Sequence, residues 1–343
     1  MKTGEDILDI IGNTPLLRLR NIEKKHGLTA ELWAKLEFYN PSGSLKDRIY
    51  REMITKAIER GDLRPGMEIL EVSTGNAGIA CSFVGTHIGY RVTIVMPEGM
   101  SEERKQLIKA FGGNLVFTPG AESDVDLSLR KAEEMMKQHP GKYWFPNQFT
   151  NPDNVQAHIK TTGPEIWEQT KGTVDCFVMS QGSGGTVSGV GKFLKEKKPS
   201  VKIYTVEPAE APIISEGLWG SHKIEGIGDG FIPRNLDLSI CDGVVTTTSD
   251  EAIETARELA RMEGIFAGIS TGCNIAAAVK VAKKHPHIRK IVTLVCDSGN
   301  RYLSTELYGP GKKHVEIPER EHSLDDYTLE MRKKHAGRLE IIR

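Results

Sequence analysis

An excess of charge of either sign is missing from this 343-residue chain. Its 45 lysines and arginines stand against 46 aspartates and glutamates, a formal net charge of −1. Without a basic surplus there is no electrostatic footprint for nucleic acid or for an anionic membrane surface. Long apolar runs are missing too, and none approaches the roughly 20 residues that a membrane span requires. Met1-Lys2-Thr3-Gly4-Glu5-Asp6 lacks the apolar stretch of a signal peptide. Cysteine is scarce, odd in number and scattered: Cys81, Cys176, Cys241, Cys273 and Cys296. No Cys-x-x-Cys pair occurs, which argues against a disulfide framework and against zinc knuckles. Buried thiols in a reducing cytoplasm are the expectation. No metal site is expected, and no internal repeat or low-complexity segment stands out.

What is present is alternation. The chain is long for one core and comfortable for two. Strand-like and helix-like segments follow one another, the pattern of an α/β protein with mostly parallel sheets covered by helices. Short apolar strands are expected at 31–37, 67–72, 91–96, 114–117, 174–179, 202–206 and 290–295, and helices after Ser44, from Ile79, after Ser101, over 123–138, 250–263 and 274–284. Pro146-Asn147-Gln148-Phe149-Thr150-Asn151-Pro152 is rich in turn formers and marks a boundary. Beyond Tyr308 the composition turns charged, and Ser323-Leu324-Asp325-Asp326 reads as the cap of a short helix to His335.

Four stretches could carry chemistry. In Asn40-Pro41-Ser42-Gly43-Ser44-Leu45-Lys46-Asp47-Arg48, Pro41 and Gly43 break regular structure, and Leu45, Ile49, Met53, Ala57 and Ile58 then repeat at helical spacing. Lys46 falls in the first turn of that helix, where the dipole disfavours a cation and lowers the pKa of an amine. A neutral amine is a nucleophile. Gln181-Gly182-Ser183-Gly184-Gly185-Thr186 joins an apolar strand to a helix, and free N–H groups with hydroxyls there suit a phosphate. A dinucleotide fingerprint would need glycine where Val187 stands; a P-loop would need glycine at Thr186 and a hydroxyl at Phe193. A single phosphate without metal fits better. Ser73-Thr74-Gly75-Asn76-Ala77 has the same placement and suits a carboxylate, with Asn76 able to bond a phenolic oxygen. Ser270, in Gly268-Ile269-Ser270-Thr271-Gly272, offers a neutral hydroxyl. Taken singly, each turn also reads as a helix cap or a packing device, and Lys46 as a solvated lysine. In an open α/β sheet all four lie at the carboxyl ends of strands and can converge on one crevice.

Together, in this order, the four motifs resemble the cysteine synthase and cystathionine β-synthase family of pyridoxal 5'-phosphate (PLP) enzymes, over residues 8 to 308. The fold type is the one also seen in the tryptophan synthase β chain. The resemblance implies two domains, each a mostly parallel twisted sheet covered by helices, with the PLP site in the cleft between them. Residues 1–40 and 147–308 would form the larger, cofactor-phosphate domain, 41–146 a smaller mobile substrate domain, and 309–343 a charged tail. It implies that Lys46 carries PLP, that Asn76 contacts the ring hydroxyl, that Gly182, Ser183, Gly184, Gly185 and Thr186 hold the phosphate, and that Ser270 faces the ring nitrogen. A neutral partner there makes the ring a weaker electron sink, which favours β-elimination and addition. Ser73, Thr74, Asn76 and Gln148 would bind the substrate carboxylate, with Gly226-Ile227-Gly228 lining the cleft opposite the ring.

Two departures bear on specificity. Ala77 replaces a hydroxyl residue of the family's carboxylate turn. Asp229, after Gly228, stands where cysteine synthases commonly carry a small apolar residue. It reads either as an exposed turn residue or as a carboxylate reaching the cleft, where it would position water or a second amino acid's ammonium. The leading expectation is cysteine synthesis from O-acetyl-L-serine and sulfide by a cytoplasmic homodimer, with no nucleic acid or membrane partner. The rival within the class consumes cysteine, releasing hydrogen sulfide and forming serine, lanthionine, cystathionine or cyanoalanine; deamination of serine or threonine is weaker. From another class, the cleft could serve a non-catalytic phosphate-ligand-binding regulatory protein.

Overall fold

The computed structural model describes residues 3–120, 124–311 and 323–343. In chain order the elements are β1 (Leu16–Arg18), α1 (Arg20–His26), β2 (Glu31–Leu36), α2 (Lys46–Arg60), β3 (Glu68–Val72), α3 (Asn76–His87), β4 (Arg91–Pro97), α4 (Glu102–Ala110), β5 (Asn114–Thr118), α5 (Val125–Gln138) and β6 (Tyr143–Trp144). There follow α6 (Pro152–Lys160), α7 (Thr162–Gln169), β7 (Cys176–Ser180), α8 (Gly185–Lys197), β8 (Lys202–Pro208), β9 (Gly243–Thr247), α9 (Ser249–Glu263), α10 (Ile269–Lys284), β10 (Lys290–Val295), α11 (Asp326–His335) and β11 (Glu340–Ile342).

The strands form two sheets. Seven make the order β1-β2-β10-β7-β8-β9-β11, parallel except where β1 meets β2; four make the order β5-β4-β3-β6, parallel throughout. Parallel strands are covered on both faces and so read as unbroken apolar runs, as at β7, buried along its whole length. Side-chain alternation sends Val178, Tyr204 and Val245 toward α1, α9 and α10. Their neighbours Phe177, Ile203 and Val244 face α7, α8 and the side chains of α11 instead. The smaller sheet packs on α2, α3 and α4 on one face and on α5 on the other. This is the α/β architecture expected from the alternation.

Local expectations fare unevenly. Leu45, just before α2, and Ile49, Met53 and Ala57 on it are buried, but Ile58 is exposed and Tyr50 and Ile54 take its place. Ser44 receives only a long 3.3 Å bond from the Lys46 amide, and the helix has no side-chain cap. Ser101 precedes α4 without capping it, because its hydroxyl donates to the Arg301 carbonyl at 3.0 Å. The helix expected from Ile79 begins at Asn76. Residue 123 and residues 312–322 of the charged tail lie outside the described residues. The short helix beyond Ser323 is α11, capped by Asp325. After it, β11 pairs parallel with β9, Glu340 against Gly243, so this stretch completes the larger sheet. All five cysteines are free and buried. No helix among the described residues is long and apolar enough to cross a membrane.

Candidate functional site

The turns after β3 and β7 and the entries to α2 and α10 meet in one cleft. Lys46, Ser73, Thr74, Asn76, Gln148, Gly182, Ser183, Gly184, Thr186, Asp229 and Ser270 all border it. Gly185 and Gly228 do not. Gly185 starts α8, and a Cβ there would collide with the Asn154 side chain. Gly228, at φ +70°, turns the loop, and His222 Nε2 lies 3.1 Å from its carbonyl.

Lys46 is the first residue of α2. Its Nζ donates to Gln148 Oε1 at 3.1 Å and lies 3.5 Å from Ser183 Oγ. Burial pushes its pKa down, opposed chiefly by the charge of Asp229. The expected direction holds, but burial rather than the helix field is its main cause. Glu71, at the end of β3, accepts from Tyr50 Oη at 2.9 Å and the Val72 amide at 2.8 Å, and burial pushes its pKa up to about 7.

The phosphate-type turn is shaped by absence of Cβ atoms. Gly184 sits at φ +80°, and a side chain there would fall 2.6 Å from the Leu236 amide nitrogen. A Cβ on Gly182 would fall 2.5 Å from the Gly226 carbonyl oxygen. Two residues that the sequence reading missed hold the hydroxyls. Asn154 Nδ2 donates to Ser183 Oγ at 2.9 Å. His158 Nε2 lies 3.1 Å from Thr186 Oγ1 while its Nδ1 meets Thr162 Oγ1 at 2.9 Å. Burial pushes the His158 pKa down to about 3, so the ring is neutral. Both sit on α6, just past the turn-rich boundary, with nothing local to single them out.

In the β3–α3 turn, Ser73 Oγ accepts from the amides of Gly75 at 2.9 Å and Gly78 at 2.7 Å, leaving its own proton to donate. Asn76 Nδ2 donates to Asp297 Oδ2 at 2.6 Å, which also receives Tyr302 Oη at 2.7 Å. Asn76 Oδ1 is buried with no hydrogen-bond partner, a cost unless a ligand group meets it. Ser270 bonds the thiol of Cys296, whose pKa burial pushes up to about 12. Both groups are therefore neutral. Asp229 is 8% exposed and borders the cleft, so its reading as an exposed turn residue does not hold. Among the described residues no cluster of His, Cys, Asp or Glu is arranged for a metal ion.

A Cβ-free cradle with two braced hydroxyls, an orphaned amide oxygen and a buried amine fit a phosphate-bearing aldehyde cofactor with a ring hydroxyl. The chain belongs to the pyridoxal-phosphate dependent enzyme family, whose model matches residues 7–297. Cysteine synthase of Staphylococcus aureus is 44% identical over 308 residues, 90% of this chain and 98% of that one. Cysteine synthase A of Escherichia coli is 46% identical over 316 residues, 90% and 96% of the two chains. Among solved structures, cysteine synthase of Entamoeba histolytica superposes with a TM-score of 0.85 at 37% identity, covering 99% of this chain and 97% of that one. A hydrogen sulfide-producing enzyme of Fusobacterium nucleatum does so at 0.83 and 41% identity, over 88% and 100%. The protein is thus a PLP-dependent enzyme, and the non-catalytic reading of the cleft falls away.

Proposed function

We propose that this enzyme replaces the β-substituent of an amino acid, making cysteine from O-acetyl-L-serine and sulfide. The observation that carries this reading is Lys46, an amine whose pKa burial lowers, held between Gln148 on the carboxylate side of the cleft and Ser183 on the phosphate side. Gly182, Ser183, Gly184 and Thr186 would seat the cofactor phosphate, Asn76 Oδ1 would accept from the ring hydroxyl, and Ser270 would face the ring nitrogen. Bound PLP supplies the electron sink that acidifies the Cα proton and lets the β-substituent leave. The turn at 73–76 and Gln148 orient the substrate carboxylate through N–H and O–H donors. Lys46 takes the Cα proton and later returns it. Acetate leaves with the electron pair of its bond to Cβ, and a sulfur–carbon bond takes its place. The smaller sheet moves on its α3–α4 side, and the enzyme works as a cytoplasmic homodimer.

Asp229 supports a second reading, in which cysteine itself loses its sulfur. Its charge acts on Lys46 from the cleft wall, and the 41% identical Fusobacterium protein is a hydrogen sulfide producer. The test is to give purified enzyme O-acetyl-L-serine with sulfide, and separately L-cysteine alone, and to quantify cysteine, acetate and sulfide. Acetate release matched by cysteine formation supports the first reading. Rapid sulfide release from cysteine with little use of acetylserine replaces it by the second. Lys46→Ala should lack both turnover and the visible band of the lysine-bound cofactor; turnover retained in that variant would sink the assignment.

A further inference from the structure

Asp297 follows β10 of the larger sheet, and Asn76 opens α3 on the smaller one. Asn76 borders the cleft, whereas Asp297 stands behind it, fully buried. Three features fix Asp297 in place. Its backbone bridges to Ser44, two residues before Lys46. Gly268 leaves room for its side chain, since a Cβ there would fall 2.4 Å from Asp297 Oδ1. Tyr302 Oη donates to Oδ2 at 2.7 Å. Burial and the charge of Asp297 push the Tyr302 pKa up, so that hydroxyl keeps its proton and acts as the donor. The other contact on Oδ2 is the Asn76 amide, at 2.6 Å. A carboxylate oxygen only accepts, so it dictates which end of the amide turns to it. Nδ2 must face Asp297, because the reverse setting would oppose two acceptor oxygens at 2.6 Å. Asn76 Oδ1 is thereby turned away from Asp297 and is buried with no hydrogen-bond partner, a costly state for an acceptor left alone.

We propose that Asp297 is a positioning residue: by claiming Nδ2 of Asn76 it makes Oδ1 the atom that meets the cofactor's ring hydroxyl, and so holds that hydroxyl in its protonated form. This rests on the cofactor placement proposed above and holds whichever β-substituent the enzyme uses. In the lysine-bound cofactor one proton is shared between the ring oxygen and the nitrogen joined to Lys46. An acceptor facing the oxygen keeps the proton there, and a donor sends it to the nitrogen. An asparagine free to turn offers either group. Asp297 removes that choice without touching the cofactor. Because the Asn76–Asp297 bond joins the two sheets, the choice is enforced only while that bond is made.

The absorbance of the resting, PLP-loaded enzyme tests this without turnover. The near-ultraviolet band belongs to the cofactor protonated on oxygen, and the visible band to the cofactor protonated on nitrogen. Asp297→Leu removes the acceptor and keeps the bulk. It should raise the ratio of the visible to the near-ultraviolet band by about fivefold, the worth of one hydrogen bond. Asp297→Asn, whose amide oxygen still accepts from Tyr302 and Asn76, should leave the ratio near the native one, which separates the acceptor from the charge. The ratio is read within one sample, so incomplete loading cancels. If Asp297→Leu does not fold, Asp297→Ser, whose hydroxyl donates as well as accepts, should raise the ratio partway. A native ratio in the leucine or serine variant overturns the proposal. So does an asparagine variant that shifts as far as the leucine one. Asn76→Ala should also raise the ratio; no change there would defeat the placement of Asn76 against the ring, and the proposal with it.

Discussion

Arg48, two residues beyond Lys46, is fully buried and donates to Glu37 Oε2 at 2.7 Å and to Glu165 Oε1 at 2.7 Å. Lys35 joins Glu165 at 2.7 Å. This network ties the head of α2 to the end of β2 and to α7, so it fixes the backbone from which Lys46 projects. Removing the arginine leaves the fully buried Glu37 carboxylate short of its counter-ion, which typically costs about 3–5 kcal/mol. Arg48→Met should therefore lower the urea midpoint sharply, without a change of slope.

Glu207, at the end of β8, accepts from the amides of Ile214 at 2.7 Å and Ser215 at 3.0 Å. Burial nevertheless raises its pKa from 4.5 to about 7. A carboxyl whose folded-state pKa lies above its unfolded value contributes most below the unfolded one and loses that contribution as pH climbs through the folded one. Stability should fall between about pH 4.5 and 7, by at most roughly 3 kcal/mol from this group. Glu207→Gln should flatten that slope in thermal melts across the range. A slope identical to that of the native protein would mean that Glu207 is not the group responsible.

At the scale of elements, α11 reaches the cleft wall from behind. Thr328 Oγ1 accepts the Ile232 amide at 2.9 Å and donates to Asp325 Oδ2 at 2.8 Å, and Arg234 lies 4.8 Å over the Tyr327 ring. Next to Ile232, Phe231 meets Phe149 edge-on at 5.2 Å, beside Gln148. Thr328→Val would leave a buried N–H without a partner, about 1–3 kcal/mol. Its thermal midpoint should drop, and Thr328→Ser should recover most of the loss. Recovery by serine distinguishes the hydrogen bond from mere volume.

The strand-turn-helix units were legible because glycine and hydroxyl residues between an apolar run and a helix signal a turn with free N–H groups. Three kinds of feature were not. β6 and β11, of two and three residues, are too short to show a period. Ser101 looks like a cap, but tertiary contact with Arg301 outcompetes the local bond. Asn154, His158 and Asp297 act on the site through partners distant in the chain, and Arg104 pairs with Glu225 in the same way. No local pattern announces a contact that only the fold creates.

At the scale of the molecule, the α2 side of the smaller sheet is fixed to the larger one by the Arg48 network, while its α3–α4 side meets the larger one through separate polar links. Asn76 reaches Asp297, Ser101 reaches Arg301, and Glu103 takes both the amide of Ser304 at 2.8 Å and its hydroxyl at 2.7 Å. Polar contacts of this kind on the α3–α4 side can open and reclose while the α2 side stays anchored. Added O-acetyl-L-serine should slow amide hydrogen exchange in α3 and α4 while β7 and β8 stay unchanged. Equal protection throughout would argue against movement of the smaller sheet.

The smaller sheet is contiguous, β3 to β6 within residues 68–144, whereas the larger one needs β1 and β2 from residues 16–36 and β11 from 340–342. On a ribosome, then, the four-stranded layer can assemble while the seven-stranded one is still missing most of its members. The phosphate cradle belongs to the late half and the carboxylate turn to the early half. A chain interrupted during synthesis would hold one jaw of the cleft and not the other, and cofactor capture would mark the moment at which both exist.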